Sequence, residues 1–322
     1  MERNLTNANK SNTLLNQLEV DPGRLAFGCW RLAGTWDPNQ VNDERRKDAE
    51  KAVLSAIDSG YTTFDHADIY CEGAAESLFG DALKNKPSLR DQLIITSKCG
   101  IRFAGQPDSS SPYRYDSSKQ HIIASCEASL KRLRTDRLDV LMIHRPDFLG
   151  NPHEIAEAIE LLKSQGKVRL FGASNFTTSQ IDLFRSYHIE IATHQIEISL
   201  VAWHAMNDGR LDQCLTHRMT PMAWSPLAKG LLGDGTKPEF EESDSDSNDH
   251  LISILDKIAQ ERSTSRSSIA LAWLLRHPSG IMPVIGSTNP ERIKQAAKSV
   301  DIILSRDEWY QLTEAAIGNR LP

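Results

Sequence analysis

Gly60-Tyr61-Thr62-Thr63-Phe64-Asp65-His66-Ala67-Asp68-Ile69-Tyr70 reads as the junction of a helix, a strand and a cluster of polar groups. Upstream, Ala49, Ala52, Val53, Ala56 and Ile57 recur at the spacing of one helix face. Gly60 follows where a helix-ending glycine belongs. Thr62-Thr63-Phe64 is β-rich, so Asp65 falls at the C-terminal end of a strand. From there to Tyr70 the chain presents a carboxylate, an imidazole, a second carboxylate and a phenol. A helix feeding a strand with polar groups at its exit is the repeating unit of a βα barrel, where chemistry sits on strand C-termini.

The rest of the chain repeats this unit. Leu25 to Trp30 is a short apolar run, and Leu93 to Gly100 is a strand that leaves Lys98 near its exit. A helix face of Ile122, Ile123, Cys126, Leu130 and Leu133 leads to a strand over Leu138–Ile143 that exits at His144. Ile155, Ala158, Ile159 and Leu162 form the next helix face, closed by Gly166. A strand from Val168 to Asn175 follows, and Thr177 is placed to cap the helix after it. Further strands read from Thr193, Met222 and Pro283, with a helix over Ile269–Leu275 stopped by Pro278. Strands starting near Ala26, Thr62, Leu93, Leu138, Leu170, Thr193, Met222 and Pro283 number eight, and their alternation with helices predicts a single-domain α/β fold, a (β/α)8 TIM barrel. A doubly wound sheet is the weaker alternative, because no GxGxxG follows any strand.

Residues 1–20 read as a polar arm, with a short hairpin around Leu14 to Val20, ahead of the barrel at 21–322. Two loops are long for a compact domain: Gly105–Ser118, rich in Ser, Pro and Tyr, and the acidic low-complexity stretch 233–249. Both are expected at the C-terminal face.

Composition narrows the class. Of 322 residues, 39% are hydrophobic and 25% charged, ordinary for a globular protein. A net charge of −6 argues against nucleic acid or an anionic membrane as the main partner. No apolar run reaches the ~18 residues of a membrane helix, and the Asn/Ser/Thr-rich start lacks the apolar core of a secretory signal. Five cysteines without a CxxC pair fit free thiols in a reducing compartment, so a cytoplasmic location is expected. Both monomer and homodimer are compatible with the sequence.

Asp65, Tyr70, Lys98 and His144 lie at or just past the ends of three successive strands, which are neighbours around a barrel mouth. The set suits proton donation to a carbonyl oxygen. A phenol with a pKa of ~10 is too weak an acid near neutrality. A nearby ammonium favours the phenolate and is expected to lower that value, while the carboxylate holds the lysine charged and oriented. A neutral histidine then orients the carbonyl. His66, Asp68 and His144 are also potential metal ligands, but no further His/Asp pair appears in the later strands, so no metal is expected.

These residues resemble the aldo-keto reductases. The likeness runs from Gly60-Tyr61 with Asp65 to Tyr70, through Ser97-Lys98 and Ile143-His144, to Gly166-Lys167-Val168-Arg169 and Ser174-Asn175-Phe176. It continues in Gln195, Trp224-Ser225-Pro226-Leu227 and Pro290-Glu291-Arg292-Ile293, covering about Leu25 to Leu312. The wording of Asp65–Tyr70 and of His144-Arg145-Pro146-Asp147 is most similar to the YdhF-type bacterial subgroup. The resemblance implies an NAD(P)H-dependent reductase of a small aldehyde or ketone, with Tyr70 as general acid, Lys98 and Asp65 supporting it, and His144 orienting substrate. It implies that Ser174, Asn175 and Gln195 hold the nicotinamide carboxamide, that Trp224 stacks on its ring, and that Ser225, Leu227 and Lys229 line the pyrophosphate path. A non-catalytic nucleotide-binding regulatory role is the alternative, one that some relatives of this fold have taken.

The last block supports a phosphate site on its own terms. Ser287-Thr288-Asn289-Pro290 is a strand exit, an N-cap and an N1 proline, so free backbone N–H groups are expected there. Arg292, with Gln295 one turn on, suits a ribose 2′-phosphate and favours NADPH, with NADH possible. Two positions depart from the family pattern: His66 stands where threonine is usual, and Gly286 where many members carry a lysine for the 2′-phosphate. The expected walls of the substrate pocket are Trp30, His66, Tyr113, Tyr115 and Trp203.

Overall fold

In the computed structural model, which describes residues 13–235 and 245–321, the opening stretch folds as a helix–turn–strand unit. Asn42 caps α1 (Asp43–Asp58) by accepting a hydrogen bond from the Arg45 N–H, and Asp43 and Glu44 complement the helix dipole. At its far end Gly60 adopts φ 87°, Tyr61 N–H donates to Ala56 O at 3.1 Å and Gly60 N–H to Ile57 O at 3.0 Å. That paired bonding closes the helix and turns the chain directly into the next strand.

The strands in chain order are β1 (Ala26–Gly28), β2 (Thr63–Asp65), β3 (Ile94–Cys99), β4 (Ile101–Arg102), β5 (Arg114–Tyr115), β6 (Leu138–Ile143), β7 (Val168–Ser174), β8 (Thr193–Glu197), β9 (Thr220–Trp224) and β10 (Met282–Ile285). Eight of them close a barrel in the order β1-β10-β9-β8-β7-β6-β3-β2. Every barrel pairing is parallel, with Gly28 opposite Asp65, Asp65 opposite Thr96 and Ser174 opposite Gln195. The expected (β/α)8 architecture is therefore observed, and the doubly wound alternative is excluded by closure.

The remaining helices are α2 (Ala74–Leu83), α3 (Lys119–Leu133), α4 (Pro152–Ser164), α5 (Thr178–Ser186), α6 (Arg210–His217), α7 (Ser245–Glu261), α8 (Arg266–Leu275), α9 (Pro290–Ala297) and α10 (Arg306–Ile317). Thr177 and Gln180 form a reciprocal capping box on α5, as the position of Thr177 anticipates. The main core lies between strands and helices, with Phe27, Phe64, Phe79 and Phe171 fully buried in it. A second cluster around Trp273 packs α7, α8 and α10 against the barrel.

Three expectations are revised. Where a hairpin is expected around Leu14 to Val20, Leu14–Gln17 is a short 3-10 helix. Its Leu14 and Leu15 are buried against Val140, Met142, Leu170, Met222 and Met282, so apolar burial inside the barrel prevails over strand pairing. The Gly105–Ser118 loop is partly ordered, because β4 and β5 pair antiparallel and make it the tip of a hairpin. The acidic stretch 233–249 is not one continuous loop: α7 begins at Ser245, while residues 236–244 lie outside the described residues, as do 1–12 of the N-terminal arm.

Candidate active site

Asp65 ends β2, Lys98 sits one residue before the end of β3, and His144 directly follows β6, so three barrel strands deliver three polar groups to one mouth. Tyr70 comes from the turn after β2. That turn is conformationally demanding: Cys71, Glu72 and Gly73 have φ of 49°, 51° and 85°, and both Gly73 N–H and Ala75 N–H donate to Tyr70 O. Two non-glycine residues held in the left-handed region mark a loop whose surroundings fix its shape. Those surroundings aim the phenol, whose ring lies 6.1 Å from the His144 ring, edge to face, and 5.3 Å from Lys98 Nζ.

Lys98 is fully buried, and its Nζ donates to Asp65 Oδ1 at 2.6 Å. The same oxygen accepts from Thr96 Oγ1 at 3.1 Å and from Gln195 Nε2 at 2.9 Å. A buried ammonium without such a partner would be heavily penalised; here the carboxylate is adjacent and itself hydrogen-bonded. Burial pulls the Lys98 pKa down from its ordinary value, and Asp65 opposes that. Burial, then the charges of Lys98 and Arg145, hold His144 well below the usual imidazole range, so it is neutral, as expected.

Tyr70 departs from expectation in the direction of its shift. Its pKa lies well above the ordinary phenol value, first because of burial and then because of the Asp65 carboxylate. Lys98 does not offset these two causes, because its ammonium is paired with Asp65 at 2.6 Å. Tyr70 is thus held firmly in its protonated form.

A cleft of about 890 Å³ opens above these groups. At its head are Tyr70, His144, Arg145, Trp30, Trp36 and Tyr113; it passes Gln195 and Trp224 and runs along Ser225–Gly230 to Gly286, Ser287, Arg292 and Gln295. Trp224 is held by its indole N–H, which donates to Asn175 Oδ1 at 2.9 Å, and Asn175 Nδ2 donates to Ser174 Oγ at 2.7 Å. Ser174 and Asn175 thus brace Trp224 at its indole N–H, and neither is among the residues that line the cleft. Gly286 has a steric reason: a Cβ there would stand 2.8 Å from Trp30 Nε1, so the indole occupies the space a larger residue would need.

The backbone N–H groups expected to be free at the start of α9 are not. Asn289 Oδ1 accepts from Glu291 N–H at 2.9 Å and Arg292 N–H at 3.2 Å, which fulfils the cap internally. Gln295 is likewise engaged, donating to Asp234 Oδ2 at 3.1 Å. Asp234 also accepts from the Ser267 hydroxyl, bridging the Gly233–Asp234 turn to α8 and α9 along the cleft.

Of the expected pocket walls, Trp30 and Tyr113 line the cleft, whereas Tyr115, Trp203 and His66 do not. Tyr115 packs on Tyr113 from behind, and Trp203 stacks on His204 beside the second core cluster. His66 is fully buried, edge-on to Phe79 at 4.6 Å, with neither ring nitrogen bonded among the described residues. Successive strand residues face opposite sides, so a residue beside Asp65 turns toward the helices. Sequence reasoning missed Trp36, Arg31, Arg145, Asp234 and Ser267 on the cleft wall; only Arg145 stood inside a quoted motif. Among the described residues no three His, Cys, Asp or Glu side chains gather as a metal site. All five cysteines are buried and free, and no described helix is long and apolar enough to cross a membrane.

Comparison with known proteins adds to this geometry. The model of the aldo/keto reductase family matches residues 24–317. The chain is 40% identical to the uncharacterized oxidoreductase YcsN of Bacillus subtilis, over 93% of this chain and 96% of that one. It is 36% identical to a 6-dehydroglucose reductase of Agrobacterium fabrum, over 96% and 98%, and 38% identical to the oxidoreductase YdhF of Escherichia coli, over 93% and 95%. Among solved structures, an aldo/keto reductase of Klebsiella pneumoniae in complex with NADP and acetate superimposes with a TM-score of 0.70 at 31% identity, covering 91% of this chain and 90% of that one. The glycerol dehydrogenase of Gluconobacter oxydans shares the fold, with a TM-score of 0.82 at 23% identity and coverage of 97% and 98%.

Proposed function

Because the chain belongs to the aldo/keto reductase family, a family of NAD(P)H-dependent oxidoreductases, we propose that it reduces a small aldehyde or ketone to the alcohol with Tyr70 as proton donor. The observation that carries this reading is the buried Lys98–Asp65 pair, with Lys98 Nζ 5.3 Å from the Tyr70 ring, at the head of a cleft of about 890 Å³.

The residues present fit such a cofactor. Gln195 is turned so that its N–H2 faces Asp65 and its carbonyl oxygen remains to accept from a carboxamide. Trp224, fixed through Asn175, offers a flat apolar face to a nicotinamide ring. Ser225, Leu227 and Lys229 border the middle of the cleft, and Ser287 and Arg292 its far end, where a fixed guanidinium suits a 2′-phosphate. Bound there, NADPH would supply a hydride to the carbonyl carbon.

The chain's own residues do the rest. His144, neutral and at the cleft head, donates a hydrogen bond to the carbonyl oxygen and fixes its direction. Tyr70 Oη gives its proton to that oxygen as negative charge develops. Its raised pKa keeps the proton in place until an alkoxide, a far stronger base than a phenolate, develops beside it. Reduction thus consumes one hydride and one proton and yields an alcohol. Relatives named 6-dehydroglucose reductases support a small polar aldehyde as substrate.

The test combines two readouts. Titration with NADPH and NADH, followed by quenching of Trp224 fluorescence, is expected to saturate and to be tighter for NADPH. Tyr70→Phe is expected to lower turnover of a screened aldehyde by about 10²–10⁴-fold with cofactor affinity nearly unchanged. Equal losses in both would remove Tyr70 from the role.

A further inference from the structure

The cleft carries an imbalance of charge that the chemistry above does not use. Among the described residues its charged lining is Arg31, Arg145, Lys229, Arg292 and Asp234, in a protein whose net charge is −6. Lys229 and Arg292 face the path assigned to phosphates. Arg145 does not: it directly follows His144 at the head of the cleft, and its guanidinium carbon lies 6.0 Å from the Trp224 ring centroid.

Arg145 is half-buried, yet among the described residues it has no carboxylate partner. Its one hydrogen bond runs from Nη1 to His144 O at 3.1 Å. The acids nearby are engaged elsewhere. Asp65 is taken by Lys98, Thr96 and Gln195, while Asp147 accepts from Ser117 N–H and Oγ and from Leu149 N–H. A guanidinium has five N–H donors in a planar fork matched to an oxyanion. Here most of that fork is left for something that enters the cleft. Its charge also reaches the chemical centre, acting on Tyr70, Lys98 and His144.

Resting on the reductase reading, we infer that Arg145 is a specificity-determining residue that selects short-chain carbonyl substrates bearing a carboxylate. His144 and Arg145 both line the head of the cleft, so one small substrate can meet both. A carbonyl held by His144 and a carboxylate held by Arg145 match a short oxo-acid, for which 4-oxobutanoate is the probe. The fork gives such a substrate a paired, charge-assisted contact that an uncharged aldehyde of equal length lacks.

The test uses 4-oxobutanoate against butanal, compared by kcat/KM with NADPH in the same preparation. The wild type is expected to favour the oxo-acid by about tenfold or more, and Arg145→Leu to bring the ratio near one. Arg145→Lys, which keeps the charge and loses the fork, is expected to fall between them. A wild-type ratio near one, or a ratio that Arg145→Leu leaves unchanged, overturns the inference. If the wild type reduces neither aldehyde, Arg145 is judged by binding alone, and the reductase reading by the cofactor titration above. Butanoate is then titrated against the fluorescence of Trp30, Trp36 and Trp224. A Kd at least tenfold weaker in Arg145→Leu supports carboxylate recognition; equal Kd values, or no binding to the wild type, overturn it.

Discussion

Lys98 and Asp65 are the pair on which the site's electrostatics turn. An ammonium with no exposure to water is tolerated because Asp65 stands 2.6 Å away and is itself held by Thr96 and Gln195. Replacing the carboxylate with an amide keeps the shape and removes the charge. Asp65→Asn is therefore expected to destabilise the fold by about 3 kcal/mol or more at pH 7, measured by urea unfolding, because it leaves a buried cation uncompensated. A loss below about 1 kcal/mol would mean that Lys98 sheds its proton rather than remain charged. The chemical identity of this pair, and of Tyr70 and His144, was legible in the sequence because all four stand at strand exits. The direction of the Tyr70 shift was not, because it depends first on how deeply the fold buries the phenol and then on how near Asp65 stands.

Among the elements, α2 packs closely against the end of α3. Gly80 lies inside α2, where alanine would by propensity add about 1 kcal/mol of stability. A Cβ at Gly80 would, however, stand 2.5 Å from Arg132 O and 2.9 Å from the Leu133 carbonyl carbon, both backbone atoms of the neighbouring turn. Backbone does not swing aside as a flexible side chain does, and overpacking of this kind costs about 1–3 kcal/mol. The clash wins, so Gly80→Ala is expected to lower the melting temperature, read by circular dichroism. A rise would show that α2 and α3 can separate at little cost. Helix limits such as Gly60 and Thr177 were readable from local bonding rules. The hairpin of β4 with β5 and the buried turn at Leu14 were not, since each depends on a partner surface remote in sequence.

For the whole molecule, acid is expected to unfold the barrel through its buried imidazoles. Burial lowers His66 to about 3 and His194 to about 4, and His144 also lies well below its ordinary value. Between pH 6.5 and 4 the unfolded chain binds protons at these three positions that the folded protein refuses, so stability falls as pH falls. Asp68 works the other way. Burial raises its carboxyl to about 7, so the folded protein gains a proton there before the unfolded chain does, and stability is recovered over the same window. Three histidines outweigh one aspartate, and the net slope is on the order of 2 kcal/mol per pH unit at its steepest. Urea midpoints at pH 7 and pH 5 check this. An unchanged midpoint would show that the imidazoles have polar partners in solution.

By itself the sequence determined the alternation of helices and strands, the closure into eight units and the four polar groups at the mouth. Hydrophobic period and local capping are encoded by residues close in the chain, and strand exits in this fold all point one way. Tertiary structure alone decided which side chains face the cleft. His66 turns to Phe79, Trp203 to His204, and Tyr115 lies behind Tyr113, while Arg145, Trp36 and Asp234 enter the wall. It also decided that Gly286 makes room for the Trp30 indole and that Asn289 fills its own cap. The reason is that facing and occupancy arise from contacts between residues far apart in sequence, such as Trp30 with Gly286, which no local pattern records.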